Sequence, residues 1–182
     1  MKDLRFIGGL FLIFCLFLNT NLAAQGGFPE SWAGKWAGTL EIYNAKGLAQ
    51  SLPMQLHILP IDSTNRYSWG IIYGEDIEKG LRDYELMPVD TSLGHYQVDE
   101  KNGIILDAYL LGDKLFERFE VMGNLLLTTT ELRGENLYWE IISGSLEPIV
   151  TTGGGEYEGE EIPPVGGYSI VVLQRAVLSR IE

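Results

Sequence analysis

Cysteine is nearly absent from this 182-residue chain, and the single copy, Cys15, sits inside an apolar run near the N-terminus. That run, Phe6 to Leu18, follows Lys2 and Arg5 and leads through polar Asn19-Thr20-Asn21 to Leu22-Ala23-Ala24. The order basic, apolar, polar, small is that of a secretory signal peptide, here cleaved after Ala24. A membrane anchor is disfavoured because the run is shorter than the roughly 20 apolar residues a spanning helix needs. A lipid anchor is disfavoured because Cys15 follows Phe14, whereas a lipidated cysteine sits among small residues. The expectation is a secreted or periplasmic chain, residues 25–182, with no membrane span after cleavage, no internal disulfide and no thiolate chemistry. Packing alone must then hold it, and about 158 residues suffice for one domain core.

Basic residues are scarce as well. Removing Lys2, Arg5 and Asp3 from 13 basic and 25 acidic residues leaves 11 and 24, a net charge of −13. Such a surface repels phosphate backbones and anionic membranes, which excludes nucleic acid as a partner and leaves solubility as the plain meaning of the acidity. Histidine is limited to His57 and His95, with no cysteine or carboxylate at ligand spacing, so no metal site is expected. Ser143-Gly144-Ser145 is not a nucleophile elbow, and Gly153-Gly154-Gly155 lacks the Lys and Ser or Thr that complete a phosphate loop. Acid and base carboxylates can come from distant strands, but Asp107, Glu117, Glu120, Glu131 and Glu140 lie in strand-like runs, where charge ordinarily marks the solvated face. The reading is a protein without cofactor and without catalytic residues.

Long segments of 3.6-residue periodicity are the last absence, and period-two alternation takes their place. Trp36, Gly38, Leu40 and Ile42 share one face of a first strand, with Thr39, Glu41 and Tyr43 on the other. Further strands are expected at 52–61, 66–73, 83–89, 95–99, 104–111, 114–122, 125–133, 136–145 and 168–178. The links between them, such as Asn44-Ala45-Lys46-Gly47, Gly112-Asp113, Gly123-Asn124 and Gly134-Glu135, are mostly of hairpin length and join antiparallel neighbours. An all-β, up-and-down barrel of about 8–10 strands follows, because a twisted meander of that size closes most readily on itself. The alternative is a β-sandwich, which calls for longer crossing connections. The run 104–111 is apolar on both faces, so its outer face is expected to be covered by a second copy of the chain, by the N-terminal segment or by the acidic loop.

That loop, 147–167, departs from the pattern. It contains Thr151-Thr152-Gly153-Gly154-Gly155, Pro163-Pro164, Gly166-Gly167 and five glutamates, too little apolar content to order by packing. Glu156, Glu158, Glu160 and Glu161 lack the spacing of a calcium loop. The segment reads as a long mobile loop, a surface insertion or a lid.

Gly34-Lys35-Trp36, just after the signal peptide and opening a series of short antiparallel strands, resembles the Gly-x-Trp element of the lipocalin and wider calycin group. The layout resembles that group over most of residues 30–178. The resemblance implies that a late arginine packs across the first-strand tryptophan, and Arg175 is the residue expected to close the barrel with Gly34 and Trp36. It also implies a small apolar or amphipathic ligand in the barrel interior. The candidate lining is Trp36, Met54, Tyr67, Trp69, Tyr73, Tyr84, Tyr96, Phe119, Thr129 and Trp139, with Arg118 a further polar contact. Two features depart from the group: the strand count is nearer ten than eight, and little chain follows the last strand. The second reading, from the same residues, is a filled barrel that acts as a non-catalytic interaction module, binding a protein or a cell-surface glycan through its outer surface or its acidic loop.

Overall fold

The alternating segments do form strands in a computed structural model that describes residues 27–181. The expected signal peptide, with its cleavage point after Ala24, lies outside the described residues. The strands are β1 (Gly34–Asn44), β2 (Gly47–Ile58), β3 (Tyr67–Tyr73), β4 (Leu81–Asp90), β5 (His95–Asp99), β6 (Ile105–Leu111), β7 (Lys114–Val121), β8 (Asn124–Arg133) and β9 (Asn136–Ser145). After four short strands, β14 (Val172–Ile181) completes the order. Successive strands pair antiparallel, and β14 bonds to both β9 and β1, so ten strands form a closed barrel. Closure removes the free edges that a two-sheet sandwich would keep, which settles the choice between the two architectures.

Register decides which side chains point inward, because residues directly opposed across a ladder stand on the same face. Trp36, Gly38 and Leu40 oppose Leu56, Met54 and Leu52 of β2, and they oppose Arg180, Leu178 and Ala176 of β14. The same face carries Trp69, Leu86, Tyr96, Val98, Ala108, Leu115, Leu137 and Trp139, which form one continuous core. Each fully buried Leu or Met side chain in it contributes about 1.5–3 kcal/mol relative to an exposed one.

One end of the barrel is plugged. A 3-10 turn, Glu30–Trp32, lays the Trp32 ring under the strands, where Phe28 meets it edge to face at 4.6 Å and meets Tyr96 at 4.9 Å. Trp36 Nε1 donates to the Trp32 carbonyl at 2.9 Å, and Tyr96 Oη donates to the Phe28 carbonyl at 3.3 Å. The plug is therefore tied by polar groups as well as by packing.

The barrel-closing cation differs from the sequence expectation. Arg180 lies with its guanidinium 4.2 Å from the Trp36 ring centre and hydrogen-bonds the Ala33 carbonyl. Gly34 makes the space: its φ is +146°, and a Cβ there would collide with the Arg180 guanidinium. Arg175 is on the opposite face of β14, where it binds Glu41 and Tyr43. The reason is parity, since Ala176, Leu178 and Arg180 alternate inward and Arg175 is one residue out of step.

Two surface expectations also change. Residues 147–167 form an exposed hairpin arm, with β10 (Val150–Thr152) paired to β13 (Val165–Gly167) and β11 (Gly155–Tyr157) paired to β12 (Glu160–Ile162). Backbone pairing orders it where side chains do not, and Glu158 and Gly159, both at positive φ, make the reversal. The arm does not cover β6, whose outward Ile105, Tyr109 and Leu111 are all exposed. No helix among the described residues is long and apolar enough to cross a membrane.

Candidate functional site

The residues expected in the interior divide by register. Trp36, Met54, Tyr67, Trp69, Tyr73, Tyr84, Tyr96, Phe119 and Trp139 stand on the inner face, and Thr129 does not. Thr129 opposes Phe116 and Glu140 on the outside of the wall, while Thr128 and Thr130 point inward and are buried. Arg118 is outward by the same parity and lines a separate outer groove with Leu125, Leu127 and Tyr168. Towards the plugged end, Trp36, Trp69 and Trp139 are 1, 3 and 2% exposed and belong to the continuous core. Towards the other end, Tyr73, Tyr84, Phe119 and Ile141 are half-buried.

A concavity of 660 Å³ lies outside, on the wall made by β1, β14, β9 and β8. Three cross-strand rows build it. The first runs Glu41, Arg175, Glu140, Thr129; the second runs Thr39, Val177, Tyr138, Glu131, Lys114; the third runs Ser179, Asn136, Arg133. Rows of this kind are rigid, because each side chain stands on a strand hydrogen-bonded on both sides.

The charged groups hold one another in place. Arg175 donates through Nε and Nη2 to Glu41 Oε2 at 3.2 and 3.1 Å and through Nη2 to Tyr43 Oη at 3.0 Å, and Tyr43 Oη in turn donates to Glu41 at 2.9 Å. The Tyr43 hydroxyl, and after it Arg175, keep the Glu41 carboxyl below the ordinary range. On the far side Glu131 accepts from Arg133 at 2.6 Å and from Lys114 at 3.0 Å, and these contacts, Arg133 first, bring its carboxyl down to about 2. The Arg133 guanidinium also lies 4.8 Å from the centre of the Tyr138 ring. All three cations of the groove are thus engaged by Glu41 and Glu131. Glu140, between Arg175 and Thr129, is outside those pairs and exposed.

Of the five strand carboxyls expected on the solvated face, Glu117 is the one that lies inside. It belongs to the inner face, opposite Ala108 and Thr128, and is 8% exposed. Burial, and then the charge of Glu100, raise it to about 7. Its parity with Leu115 and Phe119 was the available signal, hidden by the general preference of glutamate for solvent.

His57 bonds Gln55 at 2.9 Å and His95 bonds Asp107 at 2.8 Å, and no group of His, Cys, Asp and Glu among the described residues is arranged to hold a metal ion. No family model matches the chain, and no curated protein matches it.

Proposed function

We propose that this protein is a non-catalytic interaction module that binds a polyhydroxylated ligand, a cell-surface glycan, on the outer wall of its barrel. The carrying observation is the 660 Å³ groove, lined by Glu140 and Thr129 and by the charged pairs Arg175–Glu41 and Arg133–Glu131. Sugar hydroxyls donate and accept at once, so they suit a surface where carboxylates, guanidiniums and a hydroxyl alternate at fixed spacing. Charge balance favours a neutral saccharide: Lys114, Arg133 and Arg175 face Glu41, Glu131 and Glu140. The stacked Arg133 and Tyr138 add a flat surface for a pyranose face.

A carrier of a small apolar or amphipathic ligand in the barrel draws less support, because Trp36, Trp69 and Trp139 are buried in the interior core. The test is a glycan array probed with the purified secreted form, followed by calorimetry on the best neutral oligosaccharide. Glu140→Gln and Tyr138→Ala are expected to weaken binding by about tenfold or more, the value of one or two lost polar contacts. If no glycan binds, or if both variants bind as the parent does, the proposal fails.

A further inference from the structure

We infer that the outer groove on β7, β8 and β9 is a second binding site, for a short-chain aliphatic carboxylate, with Arg118 receiving the carboxylate and Leu127 and Ile142 receiving the chain. The groove shares no lining residue with the glycan groove, and the inference does not rest on that reading.

Register lays the site out as a row. Arg118 of β7 opposes Leu127 of β8, and Leu127 opposes Ile142 of β9, all on the outward face. Neighbouring strands stand about 4.8 Å apart, so the row runs about 10 Å from the cation to the last aliphatic side chain, a span that an extended chain of about eight carbons covers. Leu125 lines the same groove one outward step along β8, and the exposed Tyr168 and Ile170 form a wall beside it. The groove holds 300 Å³, which suits a small ligand.

Main-chain contacts fix that wall. A Cβ on Gly144 would collide with the Ser169 carbonyl, so the missing side chain is what lets residues 168–170 lie against β9. Val171 N–H donates to the Ser143 carbonyl at 2.8 Å, and Ser145 N–H donates to Ser169 Oγ at 3.3 Å. With sheet for a floor and a pinned segment for a wall, the groove is formed before a ligand arrives.

Charge selects the ligand. In a chain of net charge −12 this groove is lined by one cation and no carboxylate. Among the described residues Arg118 enters no ion pair, whereas Arg66, Arg133 and Arg175 each hold a glutamate. Asp107, on the neighbouring strand β6, is bound by His95 and Gln97, and Glu120 stands outside the groove lining. A guanidinium meets a carboxylate with two parallel N–H bonds, and the aliphatic side chains beyond it favour a hydrocarbon tail. An alkylammonium would instead meet Arg118 with like charge, and a sugar would leave the aliphatic surface wet.

The experiment titrates the isotope-labelled secreted chain with sodium octanoate, and with n-octylammonium chloride as the cation of matching length, by calorimetry and amide NMR. Saturable binding of octanoate is expected, with the largest shifts at Leu125, Leu127, Ile142 and residues 168–170, and no binding of octylammonium. Arg118→Gln, at an exposed position, should weaken octanoate at least about tenfold, the value of a hydrogen bond to a charged group. Gly144→Ala should weaken it several-fold with Arg118 intact, because the added Cβ displaces the wall. Glu140→Gln should bind octanoate as the parent does, which separates this site from the glycan groove. Absence of octanoate binding, equal binding of octylammonium, unchanged affinity in Arg118→Gln or in Gly144→Ala, or shifts confined to the barrel interior would each overturn the inference.

Discussion

Replacing Arg180 by alanine should destabilise the barrel, whereas replacing Arg175 should hardly do so, although each arginine lies against an aromatic ring. Arg180 is exposed, so its stacking on Trp36 belongs at the low end of the cation–π range, about 0.5–1 kcal/mol. Its bond to the Ala33 carbonyl adds about 1–2 kcal/mol, discounted for solvent. The expected loss is therefore about 1–3 kcal/mol. For Arg175, whose exposed ion pair to Glu41 is screened by solvent, the loss is expected to be too small to shift the midpoint. Gly34 turns this into a thermodynamic cycle. Gly34→Ala costs about 1–3 kcal/mol from backbone strain at φ +146°, and in the parent it also displaces Arg180. With Arg180 already gone, only the strain remains, so the two losses should fall short of additivity by about 1 kcal/mol or more. Urea unfolding followed by tryptophan emission reads all four proteins, and Trp36 reports the site directly. Equal losses for the two arginines, or a cycle additive within about 0.5 kcal/mol, would refute the closure by Arg180.

Stability should also depend on pH through Glu117. Its folded-state pKa, about 7, lies above the ordinary glutamate value of 4.5, so the contribution is complete below about pH 4.5 and is lost as pH rises to about 7. The span corresponds to about 3 kcal/mol. Thermal melts of Glu117→Gln should lose this slope and exceed the parent at about pH 8, and an unchanged slope would show that Glu117 is not the group. Deleting residues 151–166, all exposed, should leave the melting temperature within about 2–4 °C, the shift that corresponds to 1 kcal/mol at this size. A larger drop in a melt followed by circular dichroism would mean that the arm supports the barrel.

Fold was legible where one face of a strand is apolar and the other polar. Trp36, Leu40, Met54, Leu56 and Trp69 alternate cleanly, and each lies inside. Legibility failed where chemistry was the same on both faces. Leu125 to Thr130 reads as three leucines and three threonines, so nothing local distinguishes outward Thr129 from inward Thr128. Arg175 lies on the last strand, yet parity with Ala176 and Leu178 points to Arg180, two residues past the strand end expected from sequence. The outer groove was illegible for another reason: its rows join β8, β9, β14 and β1, and only the barrel register sets Arg175 beside Glu140. The arm lacked any side-chain pattern because its order comes from main-chain bonds, such as Gly154 N–H to the Ile162 carbonyl at 3.0 Å.

The seam between β1 and β14 has a consequence for how the molecule comes into being. Trp36 and Arg180 meet across nearly the whole described chain, so the ladder that seals the wall is also the one of longest range in sequence. Ladders of such long range form slowly, because loop closure must precede any gain from contact. Until β14 is available, β1 and β9 each present an unpaired edge, the usual template for sticking to another chain. A nascent polypeptide whose last strand is still in the ribosome is therefore an open, adhesive sheet, and synthesis itself sets the earliest moment at which this barrel can become safe.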